Sequence, residues 1–319
     1  MVRYIVKRLI NLIPVLLIIS LLLFALNDAM PGDPIQQMIP ENITNASQRE
    51  ALVKSLTEKY NLDGSFFERY TGWLKRVVLD QNLGESITHG APVEQVLKIP
   101  LRNTFILNIG ATLLSLILSI IIGIKSAVRK GSFYDKFWQV FSLAGISFPT
   151  FFIGMLFIFV FSIKLGWLPA GMMPRNNTFA EWIIHLILPT LTLIVGSLAS
   201  TTRYVRNAMI DALSQDYIRT ARAKGVSESK VIYSHAFRNA LIPVVSVVVW
   251  SIVGMFSGAV ITESLFAYNG VGKYFLDSIL AQDYPVIMAL NMFYAVLAVA
   301  GNLIQDIMYS VVDPRVRLE

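Results

Sequence analysis

The sequence has no cysteine, only three histidines and few charged residues. Without cysteine the chain can form neither a disulfide nor a thiolate metal site. Charged residues make up 15% of the 319 positions, hydrophobic residues make up 55%, and the mean hydropathy is +0.58. This balance is far too apolar for an ordinary soluble domain of this length.

The motifs of common catalytic sites are also missing. The sequence contains no His-Glu-x-x-His pair, no Gly-x-Ser-x-Gly elbow and no phosphate-binding loop. The nearest match to such a loop, at 270–273, lacks the upstream glycine spacing. We therefore expect a chain that is not an enzyme, with no catalytic residue, no metal site and no cofactor of its own. Energy for any uphill transport must then come from a partner.

Six stretches without Asp, Glu, Lys or Arg are long enough to cross a bilayer, which takes about 20 residues. They run over 9–27, 103–124, 137–163, 182–202, 239–262 and 284–305. We therefore expect an all-α, polytopic membrane protein with six transmembrane helices. The first stretch follows three bases, as in a signal peptide, but no convincing cleavage site follows it, so we expect this helix to be retained.

The distribution of Lys and Arg predicts the orientation. If the N-terminus is inside, the cytoplasmic segments 1–8, 125–136, 203–238 and the tail after Asp306 hold 16 of the 27 bases. The short outer connections hold only Lys164, Arg175 and Lys273. By the positive-inside rule both termini are cytoplasmic. Since the net charge of +6 then has a topological explanation, it implies no nucleic-acid partner.

Three parts of the chain follow from these boundaries. They are a cytoplasmic N-terminus with the first span (1–28), an extracytoplasmic helical insertion (29–102) and a five-helix core with a cytoplasmic loop at 203–238 (103–319). The insertion opens with a turn-rich segment at 30–34. Two amphipathic helices are then predicted over 48–60 and 66–79. Either a structural cap or a docking surface fits this pattern.

The cytoplasmic loop is the most basic part of the chain. Segment 216–224 consists of good helix formers, with its acid first and its bases later, which matches the helix dipole. Gly225 is placed to end this helix in a left-handed turn, and Ser227 to cap a second one. Two short helices at a sharp break predict a docking element, although a solvated loop that only fixes topology fits equally well.

Polar residues inside the predicted spans are few, and no ionisable group lies firmly at mid-span, as ion-coupled carriers require. Pro149 and Pro189 predict kinks that either line a cavity or only pack. His185, near an outer end, is expected to be a satisfied interfacial histidine. Gly254 and Gly258 predict a helix-packing face in the fifth span. The candidates for a translocation pathway are Asn108, Pro149, Asn291, Asn302 and Gln305.

Several short motifs occur in a characteristic order along the whole chain. They are Arg-Tyr-Ile-Val-Lys-Arg at 3–8 with Pro14, Ala-Met-Pro-Gly-Asp-Pro at 29–34, Leu-Gly-Trp-Leu-Pro at 165–169, Asp-Tyr-Ile-Arg-Thr-Ala-Arg-Ala-Lys-Gly at 216–225, Arg-Asn-Ala-Leu-Ile-Pro at 238–243, Asp-Tyr-Pro at 283–285 and Asp-Pro-Arg at 313–315. In this order they resemble the first permease subunit of peptide-type ATP-binding-cassette importers, which serve dipeptide, oligopeptide and nickel uptake. Many importers begin the cytoplasmic motif with Glu-Ala-Ala, where this chain has Arg219, Thr220 and Ala221.

The resemblance implies a type I importer permease fold in the bacterial cytoplasmic membrane. It also implies a second, similar permease, two cytoplasmic ATPase subunits that hold ATP and Mg, and an extracytoplasmic peptide-binding protein. The cytoplasmic loop would then contain the coupling helix. Its ATPase-coupling residues would be Tyr217, Ile218, Arg219, Thr220, Ala221, Arg222, Ala223, Lys224, Gly225, Arg238 and Asn239.

Two alternatives to peptide import remain at this point. The first is a permease of the same fold for nickel or another small solute, for which only His185 is available as a pathway ligand. The second is a carrier or channel that works alone. The sequence leaves peptide length open.

Overall fold

The computed structural model describes residues 2–30, 35, 39, 43, 45–59, 63–176 and 178–312. Within this part of the chain the structure is helical, and its β-structure is limited to one isolated bridge between Glu85 and Pro92. Contacts divide the chain into two compact units. One comprises 1–4, 101–273 and 300–319, and the other comprises 5–100 and 274–299. The predicted division at 28 and 102 stays a prediction.

The helices vary from single turns to lengths that exceed a bilayer. In chain order they are α1 (Val2–Asp28), α2 (Ala46–Lys59), α3 (Phe66–Val78), α4 (Val93–Val128), α5 (Phe133–Ser147), α6 (Thr150–Phe157, continued by a π-helix over Ile158–Lys164), α7 (Phe179–Leu213), α8 (Asp216–Ala223), α9 (Glu228–Lys230, continued by a π-helix over Val231–Ala236), α10 (Phe237–Gly254), α11 (Val260–Leu265), α12 (Val271–Leu280) and α13 (Tyr284–Val312).

The apolar helices agree with the predicted spans. Four described helices, α1, α4, α7 and α13, are long and apolar enough to cross a membrane. Two bent pairs of helices pass the same test, which brings the number to six if each pair is one span. The pairs join α5 to α6 with its π-helix, and the segment 228–241 to the rest of α10. The chain is therefore an all-α, multi-pass membrane protein.

Pro149 divides the third predicted span into two helices. The axes on either side of the break differ by 102°. Phe148 is extended, as the residue before a proline prefers, and Pro149 occupies the N-cap position of α6, where its missing N–H costs nothing. The predicted kink is thus confirmed, and it is a complete break. In contrast, α7 continues through the buried Pro189.

The predicted packing pair in the fifth span is wrong. α10 ends at Gly254, so Gly258 lies beyond the helix and does not share its face. Gly258 instead has φ +77°, and a Cβ there would lie 2.6 Å from the backbone nitrogen of Gly272. The glycine is needed because two backbone segments approach closely at this point.

The insertion contains the two predicted helices, with small shifts at their ends. α3 begins with a capping box in which the Ser65 hydroxyl accepts from the Glu68 amide and the Glu68 carboxylate accepts from the Ser65 amide. Phe24 of α1 meets Tyr70 and Trp73 of α3 at ring-centroid distances of 5.5 and 5.9 Å. α3 therefore packs on the first span. Most of the turn-rich opening at 30–34 and the motif at 313–315 lie outside the described residues.

Small residues let helices of the larger unit approach closely. A Cβ on Gly123 of α4 would lie 2.8 Å from Val205 of α7, and one on Gly145 of α5 would lie 2.7 Å from Ala199 of α7. α7 is therefore in close contact with both neighbours. These contacts orient the part of α7 that continues beyond the predicted span.

Candidate functional site

The helix break at Gly225 has the geometry that the sequence predicts. The Gly225 amide donates to the Arg222 carbonyl at 2.9 Å, and the Val226 amide donates to the Ala221 carbonyl at 3.2 Å. These two bonds and the φ of +74° at Gly225 form a Schellman motif at the end of α8. Ser227 occupies the N-cap position of α9, although its side chain makes no capping hydrogen bond.

The underside of α8 is apolar and buried. Ile218 and Ala221 have relative exposures of 0% and 8% and belong to a cluster with Met209 of α7 and Val231 and Ile232 of the following π-helix. Both residues were predicted at the ATPase interface with the rest of the motif. Since they face this cluster, they support the surface and do not form it.

The opposite side of α8 is exposed, and we call it the coupling surface. It consists of Tyr217, Arg219, Thr220, Arg222, Ala223, Lys224 and Gly225. The Tyr217 side chain is 39% exposed, which makes it the one large aromatic group of this surface. Gly225 has open space around it, since a Cβ there would meet nothing within 4 Å. The surface thus combines an aromatic contact with several bases.

Two bases of the coupling surface form ion pairs with acids beside it. Arg222 donates to both carboxylate oxygens of Glu228, at 2.6 and 3.1 Å. The Arg222 guanidinium holds the pKa of Glu228 below its ordinary range, and the same contact raises the pKa of Arg222. Arg219 lies 3.5 Å from Asp216. All four groups are exposed, so these pairs remain available to a partner.

Arg238 and Asn239, the other predicted interface residues, are exposed at the start of α10. The Asn239 side chain donates to the His235 carbonyl at 2.7 Å, which satisfies one carbonyl near the junction of the π-helix and α10. Neither residue belongs to α8, so they extend the coupling surface only if a partner spans both elements.

The sequence reasoning missed a buried ion pair between α5 and α7. Arg206 of α7 donates to both oxygens of Asp135 at 2.5 and 2.8 Å, and the Gly131 amide adds a bond of 2.8 Å. Asp135 is fully buried. This bidentate pair fastens α5 to the extension of α7. One signal was present in the sequence, because Asp135 is the only acid in the basic segment 125–136.

The predicted pathway residues occupy different environments. Asn108 is buried and donates to the Met255 carbonyl at 3.0 Å, just beyond the end of α10, which is a structural role. Asn291 is half-buried, and Asn302 is exposed. Gln305 accepts from the Trp250 indole at 2.8 Å and donates to the Tyr309 hydroxyl at 3.2 Å. The assignment of these residues to a pathway stays a prediction.

Two buried carboxylates on the predicted outer side were also missed. Glu263 of α11 is 0% exposed. It accepts from the Thr104 hydroxyl at 2.7 Å and from the amides of Ala259 and Lys273 at 3.2 and 2.9 Å. The Thr104 hydroxyl accepts in turn from the Val271 amide at 2.7 Å. This one side chain therefore organises the whole connection 259–273.

Asp283 is a buried carboxylate that holds a segment of the smaller unit in a similar way. It is fully buried and accepts from the Ser86 and Thr88 hydroxyls at 2.5 and 2.7 Å and from the amides of Ile87 and Thr88 at 3.1 and 3.2 Å. In the sequence, Glu263 and Asp283 directly follow and precede predicted spans. Glu263 therefore looks like the boundary of an apolar segment, and Asp283 carries in addition only the Asp-Tyr-Pro motif at 283–285.

Comparison with known proteins places this architecture in a family. Residues 115–318 match the family described as binding-protein-dependent transport system inner membrane component. Residues 1–94 match the N-terminal part described as binding-protein-dependent transport system membrane component. The first match alone covers more than half of the chain. The chain belongs to this family.

Relatives of this inner membrane component match it along its whole length. An oligopeptide transport system permease protein of Bacillus subtilis is 41% identical over 320 residues, which cover 99% of each chain. A dipeptide transport system permease protein of the same species is 36% identical over 321 residues, covering 100% of this chain and 99% of the relative. A glutathione transport system permease protein of Pectobacterium atrosepticum is 35% identical over 320 residues, covering 99% of each chain.

Proposed function

We propose that this chain is a permease subunit of a peptide importer, which forms half of the translocation pathway with a second, similar permease and is driven by ATP hydrolysis in partner subunits. One observation carries the proposal. In this binding-protein-dependent permease, the segment predicted to be cytoplasmic presents a basic surface with an exposed tyrosine over the buried Ile218 and Ala221. Such a surface is suited to transmit movement, because its supporting helix is anchored by the cluster beneath it.

The substrate class rests on the relatives. Their names refer to oligopeptides, dipeptides and glutathione, and each of these is a peptide. A permease of the same fold for nickel has no comparable support. Among the described residues, no group of three or more His, Cys, Asp or Glu side chains could hold a metal ion. Peptides are therefore the favoured substrates of this chain.

The partners follow from the same proposal. Two cytoplasmic ATPase subunits would hold ATP and Mg, and this chain would hydrolyse nothing itself. An extracytoplasmic binding protein would deliver the peptide. With 203–238 docked to an ATPase subunit, both termini and the coupling surface are cytoplasmic, in agreement with the positive-inside count.

Transport by the reconstituted complex tests the function. Both permeases, both ATPase subunits and the binding protein, placed together in vesicles, should accumulate a labelled peptide only when ATP is present on the ATPase side. This chain alone should accumulate none under a proton or sodium gradient. ATP-independent uptake by the chain alone contradicts the proposal and supports a carrier.

The orientation has a separate test. Single cysteines at Ser47, Ser132, Ser214 and Ser310 can be labelled with a membrane-impermeant reagent in cells with an opened outer barrier. We expect only the cysteine at position 47 to react, since it belongs to the predicted outer insertion. Labelling at position 214 without lysis reverses the orientation.

A further inference from the structure

A cavity of about 440 Å³ lies between the segment 169–176 and the first turns of α7, entirely within the larger unit. This volume falls in the range of sites that hold small ligands. The charge count puts the cavity on the extracytoplasmic side. It is remote in sequence from the coupling surface, and the proposed function does not use it.

The backbone at the cavity is held in a conformation that most residues avoid. Met172 has φ +74°, although it is not a glycine. Its amide donates to the Phe266 carbonyl at 2.7 Å, and a Cβ on the neighbouring Gly171 would lie 2.3 Å from that same oxygen. A left-handed conformation at a non-glycine residue persists only when its surroundings enforce it, and such positions cluster at binding sites. The connection 259–273 therefore fixes the shape of this cavity.

Most polar groups at the cavity are already committed. Both carboxylate oxygens of Glu181 accept from Asn176, one from the amide at 2.9 Å and one from the side chain at 2.7 Å. His185 uses Nδ1 to donate to the Met172 carbonyl at 2.9 Å, in agreement with the expected satisfied histidine. These residues shape the cavity. The group that could bind a charged ligand must therefore be a different residue.

That group is Arg175. Its side chain is exposed, it is the only base in the segment 165–178, and within the described part of the chain its guanidinium has no ion-pair partner. The walls beside it include Pro169, Ala170, Met172 and Ile184, which are apolar. The cavity thus joins an apolar interior to one uncommitted cation, and a guanidinium binds a carboxylate in a bidentate manner.

We propose that this cavity binds the carboxyl-terminal residue of a short peptide, with an apolar side chain inside and the terminal carboxylate on Arg175. The inference rests on the proposed function and deepens it, because it assigns the permease its own contact with the substrate after release from the binding protein. A segment of the binding protein is a different occupant. An internal segment has no terminal carboxylate. Only the proposed peptide site therefore predicts that amidation of the ligand's carboxyl terminus weakens binding.

Equilibrium binding to the complete complex in nanodiscs, without binding protein or ATP, tests this. The probes are radiolabelled Leu-Leu and its carboxyl-terminal amide. We expect saturable binding of Leu-Leu and about tenfold weaker binding of the amide, since one charge-assisted pair is lost. Arg175→Gln should weaken Leu-Leu binding by a similar factor and leave amide binding unchanged. The matched control Arg129→Gln removes a base from the opposite side and should change neither.

A second variant guards against a folding defect at position 175. Ala170→Phe fills the cavity and should abolish binding of both probes, while thermal stability and assembly with the ATPase subunits stay normal. Equal affinity for the acid and the amide, or insensitivity to Arg175→Gln, overturns the proposal. Absence of Leu-Leu binding in a complex that imports Leu-Leu overturns the cavity assignment alone. A complex that imports no peptide overturns the proposed function, and the cavity assignment with it.

Discussion

The coupling surface and the connection 259–273, which is predicted to lie outside, belong to the same unit, and each has a glutamate in a different role. Glu228 is exposed and forms an ion pair with Arg222. Glu263 is buried, and it accepts hydrogen bonds from two backbone amides and the Thr104 hydroxyl. A carboxylate left at the surface remains available to a partner protein, whereas one satisfied internally only holds the chain in place. The exposed pair is therefore a candidate for docking, and the buried carboxylate has a structural role.

The largest expected effect is on stability, and it comes from Glu263→Ala. The substitution leaves the Ala259 and Lys273 amides and the Thr104 hydroxyl without their acceptor. Since each unpaired buried donor costs about 1–3 kcal/mol, we expect a loss of about 3 kcal/mol or more. The midpoint of thermal unfolding of the purified permease in detergent measures it. Glu228→Ala is the matched control and should lower the midpoint only slightly, because it removes one exposed ion pair. Equal midpoints for all three proteins would remove the distinction between the two regions.

The next effect concerns coupling, and it comes from Gly225→Val. A side chain at φ +74° costs roughly 1 kcal/mol of backbone strain, and the β-branched group also protrudes from the coupling surface. We expect recovery of ATPase subunits with the permease to fall about tenfold, or roughly 1.4 kcal/mol. Peptide uptake should fall with it at matched membrane levels.

Gly131→Val is the control for strain alone. Gly131 has φ +82° in the segment 125–136, and a Cβ there meets nothing within 4 Å, as at Gly225. The Gly131→Val variant should have the same backbone strain and retain its ATPase subunits. If both variants lose them equally, strain and not docking explains the result. If neither does, the coupling assignment is wrong.

A smaller effect is expected from reversing one charge. Lys224→Glu places an acid on the exposed side of the coupling surface without changing the buried side of α8. ATPase recovery should fall several-fold at low salt, and the difference should shrink as salt rises, because exposed charges are screened. Lys136→Glu, an exposed reversal at the start of α5, should have no such effect. A salt-independent loss would indicate misfolding of the loop.

The smallest effect is on pH dependence. The pKa of Glu228 is lowered by Arg222, so the pair stabilises the loop above the ordinary value of 4.5 and loses that contribution as pH falls through the lowered value. The thermal unfolding midpoint of wild type should therefore exceed that of Glu228→Gln by a constant amount from about pH 6 to 8. This gap should close only in acid. A gap that opens as pH rises would assign the opposite sign to the pair.

Features that depend on neighbours in the sequence were predictable. The Schellman turn at Gly225 needs a helix of good formers followed by a glycine, and both are visible in 216–225. The break at Pro149 follows from a missing amide and from the restricted residue before it. The spans follow from charge-free length, which the bilayer imposes on any sequence. In each case the physical cause acts within a few residues.

Tertiary structure alone decided the features that join distant residues. Glu263 meets Thr104 across 159 positions, and Asp283 meets Ser86 across 197, so neither acid could be distinguished in advance from the end of a span. Gly258 belongs to a packing helix by its spacing, yet it faces Gly272 because α10 stops before it. Ile218 and Tyr217 are adjacent, and only the position of the cluster beneath α8 buries one and exposes the other. Tertiary packing therefore decides which face of a helix is buried where the local sequence does not distinguish the faces.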